Sequence, residues 1–311
     1  MLNLIQNKKQ GTKMNVTSQY IVNPKSRDTY RTGLAPYKSI HPSTARLRLG
    51  YERQVLNDKK KYKIFRVEGI DFTMIHCPRG KFMMGVSGDS RNPKRVVSIK
   101  KPFLLGEAEV TQELFEKVMG FNPSLHKGVN YHNSKQRPVV QVTWYDAVMF
   151  CNKLSERLGR RPYYNMTDIS YEDQKSKTTI QCANLSYNLL ANGFRLPYEK
   201  EWEYAAKSGS VYKYVGTNDK STVVNFAWSK YDSRDETHPI KGKLPNQWGF
   251  YDMLGNVWEW CCDKNEEPNH IARGGSIQYP SLLLRNTFRS VHKPEHRVPD
   301  QGFRIAMSIS S

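Results

Sequence analysis

The 311-residue chain carries 48 Lys and Arg against 29 Asp and Glu, for a formal net charge of +19, and its mean hydropathy is −0.70. It has no run of about 18 apolar residues and begins with neither a signal-peptide core nor a lipobox. These features exclude a membrane-spanning helix and indicate cytoplasmic synthesis, with display on a virion or a cell surface left open. Five scattered cysteines without a CxxC pair predict neither a zinc site nor a disulfide framework.

The positive charge is concentrated at the N-terminus. Residues 1–66 hold fifteen Lys or Arg against three Asp or Glu, so +12 of the +19 lies there. Residues 1–63 show no sustained hydrophobic period, and we interpret them as a basic arm that precedes one domain over residues 64–311. The arm is either a solvated tail or a segment that contacts a neighbouring subunit or an acidic partner. Its sparse aromatic residues do not favour stacking on nucleic acid bases.

Short strands open the domain. Alternation predicts a strand at residues 70–76, a turn at 78–81 and a returning strand at 82–85, which together would form a hairpin. Two further short strands are predicted at residues 96–99 and 103–105.

Two amphipathic helices follow these strands. Thr111 is predicted to cap a helix that ends at Gly120, and Thr143 to open a second helix that ends at Gly159. Cys151 lies on the apolar face of the second helix, so we interpret it as a core thiol and not as a nucleophile.

The remainder of the chain is less regular. Residues 165–190 form a polar insertion in the pattern, and residues 198–207 predict a short third helix. After Gly209 the pattern predicts only short strands and turns. A few helices among many short strands indicate a mixed α+β domain.

Several segments together resemble the formylglycine-generating enzyme (sulfatase-modifying factor) family, in the order in which that family has them. They are residues 80–85 (GKFMMG), 109–112 (EVTQ), 138–147 (PVVQVTWYDA), 194–205 (FRLPYEKEWEYA), 247–260 (QWGFYDMLGNVWEW), 273–276 (RGGS) and 302–306 (GFRIA). The match covers about residues 66–309. It implies a variant of the C-type lectin fold, with a twisted antiparallel sheet, two main helices and much irregular loop.

The resemblance does not extend to the oxidase chemistry. Oxidase members place two copper-binding cysteines in the run after the RGGS motif, and the matching positions here hold Tyr279 and Leu284. Neither side chain ligates Cu(I), so formylglycine synthesis is not expected, although Trp258 and Ser276 match residues near that active site. The histidines also lack the spacing of the iron site in sulfoxide-synthase relatives. A catalytic function would have to depend on the adjacent Cys261 and Cys262.

A second branch of the same fold family comprises the variable proteins of diversity-generating retroelements in phages and bacteria. Adenine-specific mutagenesis rewrites selected codons near their C-terminus, and the altered side chains form a ligand-binding surface. Most residues that depart from the family pattern here are accessible from an AAC codon, with Gln278 outside that set. Three consecutive leucines, 282–284, between polar turns are typical of a contact site.

The resemblance therefore predicts a non-catalytic binding protein that needs no cofactor, with a variable segment at about residues 261–300 and a protein or other macromolecule as ligand. The predicted contacts are Ile277, Tyr279, Pro280, Ser281, Leu282, Leu283, Phe288, Ser290, Val291 and His292. The alternative is an ordinary lectin-fold structural or binding module of a virion or cell surface. In that case strand alternation would bury about half of these side chains, and Leu284, Arg285 and Arg289 match scaffold positions of the family.

A structural calcium ion is the one metal that the resemblance suggests. Asp252, Gly255, Val257 and Glu259 occupy the calcium-binding positions of oxidase members, and carboxylate and carbonyl oxygens are the ligands that Ca²⁺ prefers. The alternative is that Asp252 caps a turn while Glu259 pairs with a buried arginine such as Arg273 or Arg304.

Overall fold

The computed structural model describes residues 62–309 apart from residues 177, 266 and 267. The predicted basic arm lies outside the described residues except for Tyr62 and Lys63, which open the first strand. Its contacts therefore stay a prediction. A search of the described residues finds no helix long and apolar enough to cross a membrane.

The described residues form an α+β domain with three α-helices and fifteen short strands. The helices are α1 (Gln112–Met119), α2 (Trp144–Arg157) and α3 (Glu199–Lys207). The strands are β1 (Tyr62–Val67), β2 (Ile70–Cys77), β3 (Gly80–Met84), β4 (Arg95–Ile99), β5 (Phe103–Gly106), β6 (Tyr164–Tyr171), β7 (Ile180–Tyr187), β8 (Phe194–Arg195), β9 (Ala227–Trp228), β10 (Leu254–Gly255), β11 (Trp258–Lys264), β12 (His270–Arg273), β13 (Arg289–His292), β14 (Gln301–Gly302) and β15 (Ala306–Ser308). Short 3-10 helices lie at Ser134–Gln136, Lys220–Asn225 and Ser281–Leu283.

A five-stranded antiparallel sheet in the order β1-β2-β5-β15-β8 divides the interior into two cores. Side chains alternate across a strand, so Leu104 and Met307 face the core that α1 and α2 complete. Leu105 and Ala306 face a second core that contains Trp202 of α3. Because both faces are covered, all four residues of β5 are buried.

The predicted hairpin between the strands near residues 70 and 82 is wrong, although both strands form. β2 pairs with β1 and β5, whereas β3 pairs with β4, from Gly80 opposite Ile99 to Met84 opposite Arg95. Tyr204 of α3 explains why β3 does not pair with β2. A Cβ at Gly80 would lie 2.4 Å from the hydroxyl of Tyr204, and the Tyr204 ring packs on Phe82. The β3–β4 ribbon therefore lies against α3.

The three predicted helices form, and local caps account for their starts. Thr111 accepts a hydrogen bond from the Leu114 N–H at 3.2 Å, and Gly120 ends α1 in the left-handed conformation at φ 89°. Thr143 and Asp146 form a complete capping box at the start of α2. Cys151 on α2 is buried in the core, as predicted.

The polar insertion after α2 is an antiparallel two-stranded ribbon of β6 and β7. It is attached to α2 by Asp146, whose Oδ1 accepts the backbone N–H of Ile180 at 2.8 Å. The pairing satisfies the backbone groups of a segment whose side chains are largely polar.

A four-stranded sheet in the order β13-β12-β11-β14 carries the C-terminal half of the candidate site. β12 pairs antiparallel with β11 and β13, and β14 pairs parallel with β11. One layer therefore contains the tryptophan-rich segment (residues 247–260), the RGGS motif and the segment after that motif.

Candidate ligand-binding surface

A buried ion pair anchors the tryptophan-rich segment. Arg304 donates from Nε to Glu259 Oε2 at 2.6 Å and from Nη2 to Oε1 at 2.7 Å. Trp202 Nε1 also donates to Glu259 Oε2, at 2.7 Å, and all three side chains are 0% exposed. A buried charge pair is tolerated when its geometry is good and its oxygens are satisfied. The set therefore fixes β11, α3 and residue 304 relative to one another.

Glu259 does not fit the predicted role of a calcium ligand. Both of its carboxylate oxygens accept hydrogen bonds from Arg304, and that guanidinium supplies the positive charge a cation would bring. Pairing with Arg304 is one of the alternatives that the sequence left open. Over residues 62–309, with the gaps noted above, no group of three or more His, Cys, Asp or Glu is arranged to hold a metal ion.

Asp252 leaves one carboxylate oxygen unused. Its Oδ2 accepts the backbone N–H of Lys241 at 2.7 Å, while its Oδ1 and both carboxylate oxygens of Glu109 have no hydrogen-bond partner in the described part of the chain. Burial raises the pKa of Asp252 to about 6 and raises the pKa of Glu109 well above its usual range, with the nearby Asp252 and Glu259 charges adding to the latter. Calcium binding through Asp252 thus stays a prediction.

The other two predicted calcium positions are backbone positions in a tight turn. Gly255 has φ 73°, and a Cβ there would lie 1.9 Å from the carbonyl oxygen of Trp228, so only glycine fits. Val257 is buried. Both residues have structural reasons for their identity that involve no ion.

A second buried arginine, the first residue of the RGGS motif, anchors that motif to α3. Arg273, 0% exposed, forms an ion pair with Glu203 of α3 and donates from Nη1 to the carbonyl of Phe288 at 3.0 Å. Gly275 has φ 76°, and a Cβ there would lie 2.4 Å from the Leu284 side chain. The motif therefore closes a turn against the segment that follows it.

Four aromatic side chains, Trp258, Tyr279, Phe288 and His292, form the surface that we call the aromatic floor. Ring centroids lie 5.4 Å apart for Trp258 and Tyr279, 5.0 Å for Trp258 and Phe288, and 5.1 Å for Tyr279 and Phe288. The His292 ring lies 6.1 Å from that of Trp258. Offset and edge-to-face arrangements at these distances are favourable for aromatic pairs. Three predicted contact residues thus pack around one family-matched tryptophan.

The remaining predicted contacts differ in exposure. Leu282 and Leu283 are 49% and 42% exposed on the 3-10 helix Ser281–Leu283. Partly exposed side chains occur at Pro280, Ser281, Ser290 and Val291.

Ile277 is a wrong prediction, because it is 1% exposed and lies in the interior. The positive φ angles of Gly274 and Gly275 turn the chain, and the Ile277 N–H then bonds the carbonyl of Asn256 at 3.1 Å. Leu284, matched to a scaffold position, is 0% exposed.

Two residues at this surface were not predicted. Gln301 of β14 accepts a hydrogen bond at its Oε1 from Nδ1 of His292, at 3.0 Å. Tyr231, which is 80% exposed, follows Lys230, whose N–H bonds the carbonyl of Tyr279 at 3.0 Å. Only the position of Gln301 directly before the GFRIA motif could have drawn attention to it.

Four of the five cysteines are unsuited to nucleophilic chemistry. All five are free, and Cys77, Cys151, Cys261 and Cys262 are buried. Burial raises the pKa of Cys262 to about 12 and that of Cys261 well above its usual range, so both remain protonated thiols at neutral pH. The enzyme reading that rests on this pair has no physical support.

The fold and the surface define a C-type-lectin-like domain in which a rigid, arginine-anchored scaffold presents the segment after the RGGS motif. The chain belongs to the family described as sulfatase-modifying factor enzyme 1-like domain, whose model matches residues 68–309. Among solved structures it is similar to Treponema denticola variable protein 1, with 33% identity and a TM-score of 0.70 over 80% of this chain and 99% of that one.

Curated relatives carry different functional names. The chaperone protein LppX of Paenibacillus barcinonensis is 33% identical over 239 residues, 66% of this chain and 80% of that protein. The formylglycine-generating enzyme of Streptomyces coelicolor is 36% identical over 282 residues, 75% of this chain and 88% of that protein. Family membership therefore establishes the fold, and the function must be argued from the site.

Proposed function

We propose that this chain is a ligand-binding protein that presents a sequence-variable C-terminal surface on its C-type lectin scaffold, as a retroelement-diversified variable protein. The observation that carries the proposal is the likeness to Treponema denticola variable protein 1 over 80% of this chain. The oxidase alternative is disfavoured because Tyr279 and Leu284 stand where that chemistry needs thiolates.

Exposed apolar residues on an ordered backbone support a binding role. Leu282 and Leu283 are exposed, yet the Leu282 carbonyl accepts a hydrogen bond from the Tyr214 hydroxyl at 3.3 Å. Nearby, the Asn286 N–H bonds the carbonyl of Lys213 at 3.0 Å. Exposed apolar clusters mark contact sites, and a backbone that is ordered before binding lowers the entropic cost of binding. The ligand that fits such a surface is a protein or another macromolecule.

Two further parts of the proposal concern the setting of the domain. The basic arm, residues 1–63, would contact a neighbouring subunit or an acidic partner, because +12 of the net charge lies in residues 1–66. The domain would be displayed on a virion or a cell surface, where a variable surface meets its ligands.

The test is to sequence the DNA that flanks the gene. The proposal requires a near-copy of the 3′ end of the coding region that differs from it at adenines, together with a reverse-transcriptase gene. The differences should fall on codons for exposed residues such as Leu282 and Leu283 and spare Ile277 and Leu284. If no such repeat exists, diversification is rejected and an ordinary lectin-fold binding module remains.

A further inference from the structure

A chain of hydrogen bonds joins a serine, a histidine and a glutamine at the edge of the aromatic floor. Ser290 Oγ lies 2.7 Å from His292 Nε2, and His292 Nδ1 lies 3.0 Å from Gln301 Oε1. Ser290 and His292 are two residues apart on β13, which places their side chains on one face of the strand. Gln301 comes from β14 at the opposite edge of the same sheet.

The buried glutamine fixes which ring nitrogen carries the proton. Gln301 is 0% exposed, and its Nε2 donates to the carbonyls of Trp258 at 3.3 Å and Gly302 at 3.5 Å. Its Oε1 therefore faces His292 and can only accept, so Nδ1 of His292 holds the hydrogen. In a neutral imidazole the other nitrogen is then an acceptor, and Ser290 donates its hydroxyl hydrogen to Nε2.

This arrangement is the one that activates a serine in acyl transfer: a nucleophile bonded to a base that a third group orients. We propose that Ser290 is an activated nucleophile that is acylated by carboxylic esters, with His292 as general base and Gln301 as a positioning residue. The proposal goes beyond the binding role and does not depend on it.

The reaction requires no oxidant, reductant or cofactor. Ser290 Oγ attacks the ester carbonyl carbon, and its proton passes to His292 Nε2. The carbon–oxygen bond to the alcohol then breaks, and the alkoxide leaves with that proton. Water attacks the acyl-serine in the same way and returns the free hydroxyl and a carboxylic acid.

The surroundings of His292 favour its role as a base. Burial and the neighbouring His296 lower the pKa of His292, so the ring is neutral at pH 7, while Gln301 and Asp300 oppose that shift. Its ring is held between the edges of Trp260 at 5.7 Å and His296 at 5.2 Å. A restrained, neutral ring is ready to accept a proton without reorganisation.

The position of β13 at the edge of the sheet gives an ester access to Ser290 and offers hydrogen-bond donors to the ester carbonyl. β13 is an edge strand, and within the described part of the chain residues 289–292 form backbone hydrogen bonds only along β12. The outward N–H groups of an edge strand have no partner in the sheet and can stabilise the carbonyl oxygen of an ester. The aromatic floor beside Ser290 provides an apolar surface for the acyl group.

The first experiment treats the full chain with p-nitrophenyl acetate and with a fluorophosphonate probe, and locates the modification by peptide mass spectrometry. The expected results are a burst of p-nitrophenolate, an acetyl group on Ser290 and stoichiometric labelling by the fluorophosphonate, whose P–F bond breaks as Oγ–P forms. Ser290→Ala should abolish both. His292→Asn should slow acylation by about 100-fold or more, and Ser186→Ala, which changes an exposed serine of β7 outside this surface, should leave the acylation rate unchanged.

An unmodified Ser290, or equal rates for the wild type and His292→Asn, would overturn the proposal. The role of Gln301 has a separate readout. Gln301→Met removes the acceptor, and because the hydrogen bond from His292 to Gln301 opposes the lowering of the His292 pKa, the midpoint of the pH–rate profile should move downward. A structural role alone would leave that midpoint in place, and an unmoved midpoint would remove Gln301 from the relay. Ligand binding by Leu282 and Leu283 is untouched by either outcome.

Discussion

Leu283 and Leu284 are neighbours in sequence but lie on opposite sides of the candidate surface: Leu283 is 42% exposed, whereas Leu284 is 0% exposed and packs beneath the RGGS turn. Side chains that end in solvent can change without disturbing the interior, and those beneath cannot. This relationship distinguishes side chains that can change without disturbing the interior from those that hold the backbone.

Leu283→Asp is expected to change the free energy of unfolding by no more than about 0.5 kcal/mol, because surface substitutions seldom have larger effects. Leu284→Ala should cost about 2–5 kcal/mol, since it empties a packed interior position. Urea denaturation followed by tryptophan fluorescence measures both values. Equal costs for the two variants would mean that the exposed leucines belong to the core and are not contact residues.

Glu259→Gln should destabilise the domain by about 3–5 kcal/mol, because it leaves the buried Arg304 guanidinium without its counter-charge. The measurement is again the free energy of unfolding. The matched control is Asp71→Asn, which removes the exposed Arg66–Asp71 pair and should have no measurable effect. A small loss for Glu259→Gln would show that the backbone carbonyls of Gly106 and Tyr251 satisfy the guanidinium without a counter-charge.

Asp252→Asn is expected to raise the melting temperature at pH 7.5. Burial raises the pKa of Asp252 from 3.8 to about 6, so folding favours the protonated form and the free energy of unfolding falls as the pH rises through this window. Asparagine removes this penalty, which is about 3 kcal/mol for a shift of this size, and its side-chain oxygen can still accept the Lys241 N–H. The advantage over the wild type should vanish near pH 4, and a difference that is independent of pH would refute the assignment.

Calcium binding at Asp252 predicts a different result for the same substitution, namely the loss of a response to added calcium. If Asp252 binds Ca²⁺, adding calcium to chelator-stripped protein must release or absorb heat and raise the melting temperature, because a ligand that binds only the folded state stabilises it. Asp252→Asn should then lose the response, whereas Asp71→Asn should keep it. Calorimetry that shows no heat, together with an unchanged melting temperature, would remove calcium from the description of this domain.

One cysteine should react before the others. Cys182 is exposed on β7, while the other four thiols are buried. A disulfide reagent at pH 8 is therefore expected to modify one thiol rapidly in the folded protein and five in denaturant. Cys182→Ser should eliminate the fast phase. Rapid modification of Cys261 or Cys262 would contradict the buried environment described for them.

Local signals and family motifs predicted much of the fold. The caps at Thr111 and Thr143 are encoded within four residues, so the helix starts followed directly from the sequence. The RGGS and GFRIA motifs identified the lectin-like scaffold, although pattern alone could not assign strand partners. Alternation predicts a strand but not the strand that pairs with it. β3 pairs with β4 and lies against Tyr204, which is more than a hundred residues away in the sequence.

The candidate site was less accessible to sequence reasoning. The buried orientation of Ile277 depends on two glycines with positive φ just before it. The bond between His292 and Gln301 depends on the meeting of two strands from opposite edges of a sheet. The first is a local backbone effect and the second a tertiary contact, and the spacing of residue types in the chain predicts neither.

The placement of β15 has a consequence for biosynthesis. This strand, Ala306–Ser308, lies between β5 and β8 in the main sheet, and Arg304 lies two residues before it on the chain. A ribosome must therefore release the chain through residue 308 before the sheet can close. Any message that stops or shifts frame within the segment after the RGGS motif would yield an open sheet without its buried arginine. The sheet therefore closes only in products whose reading frame stays intact through residue 308.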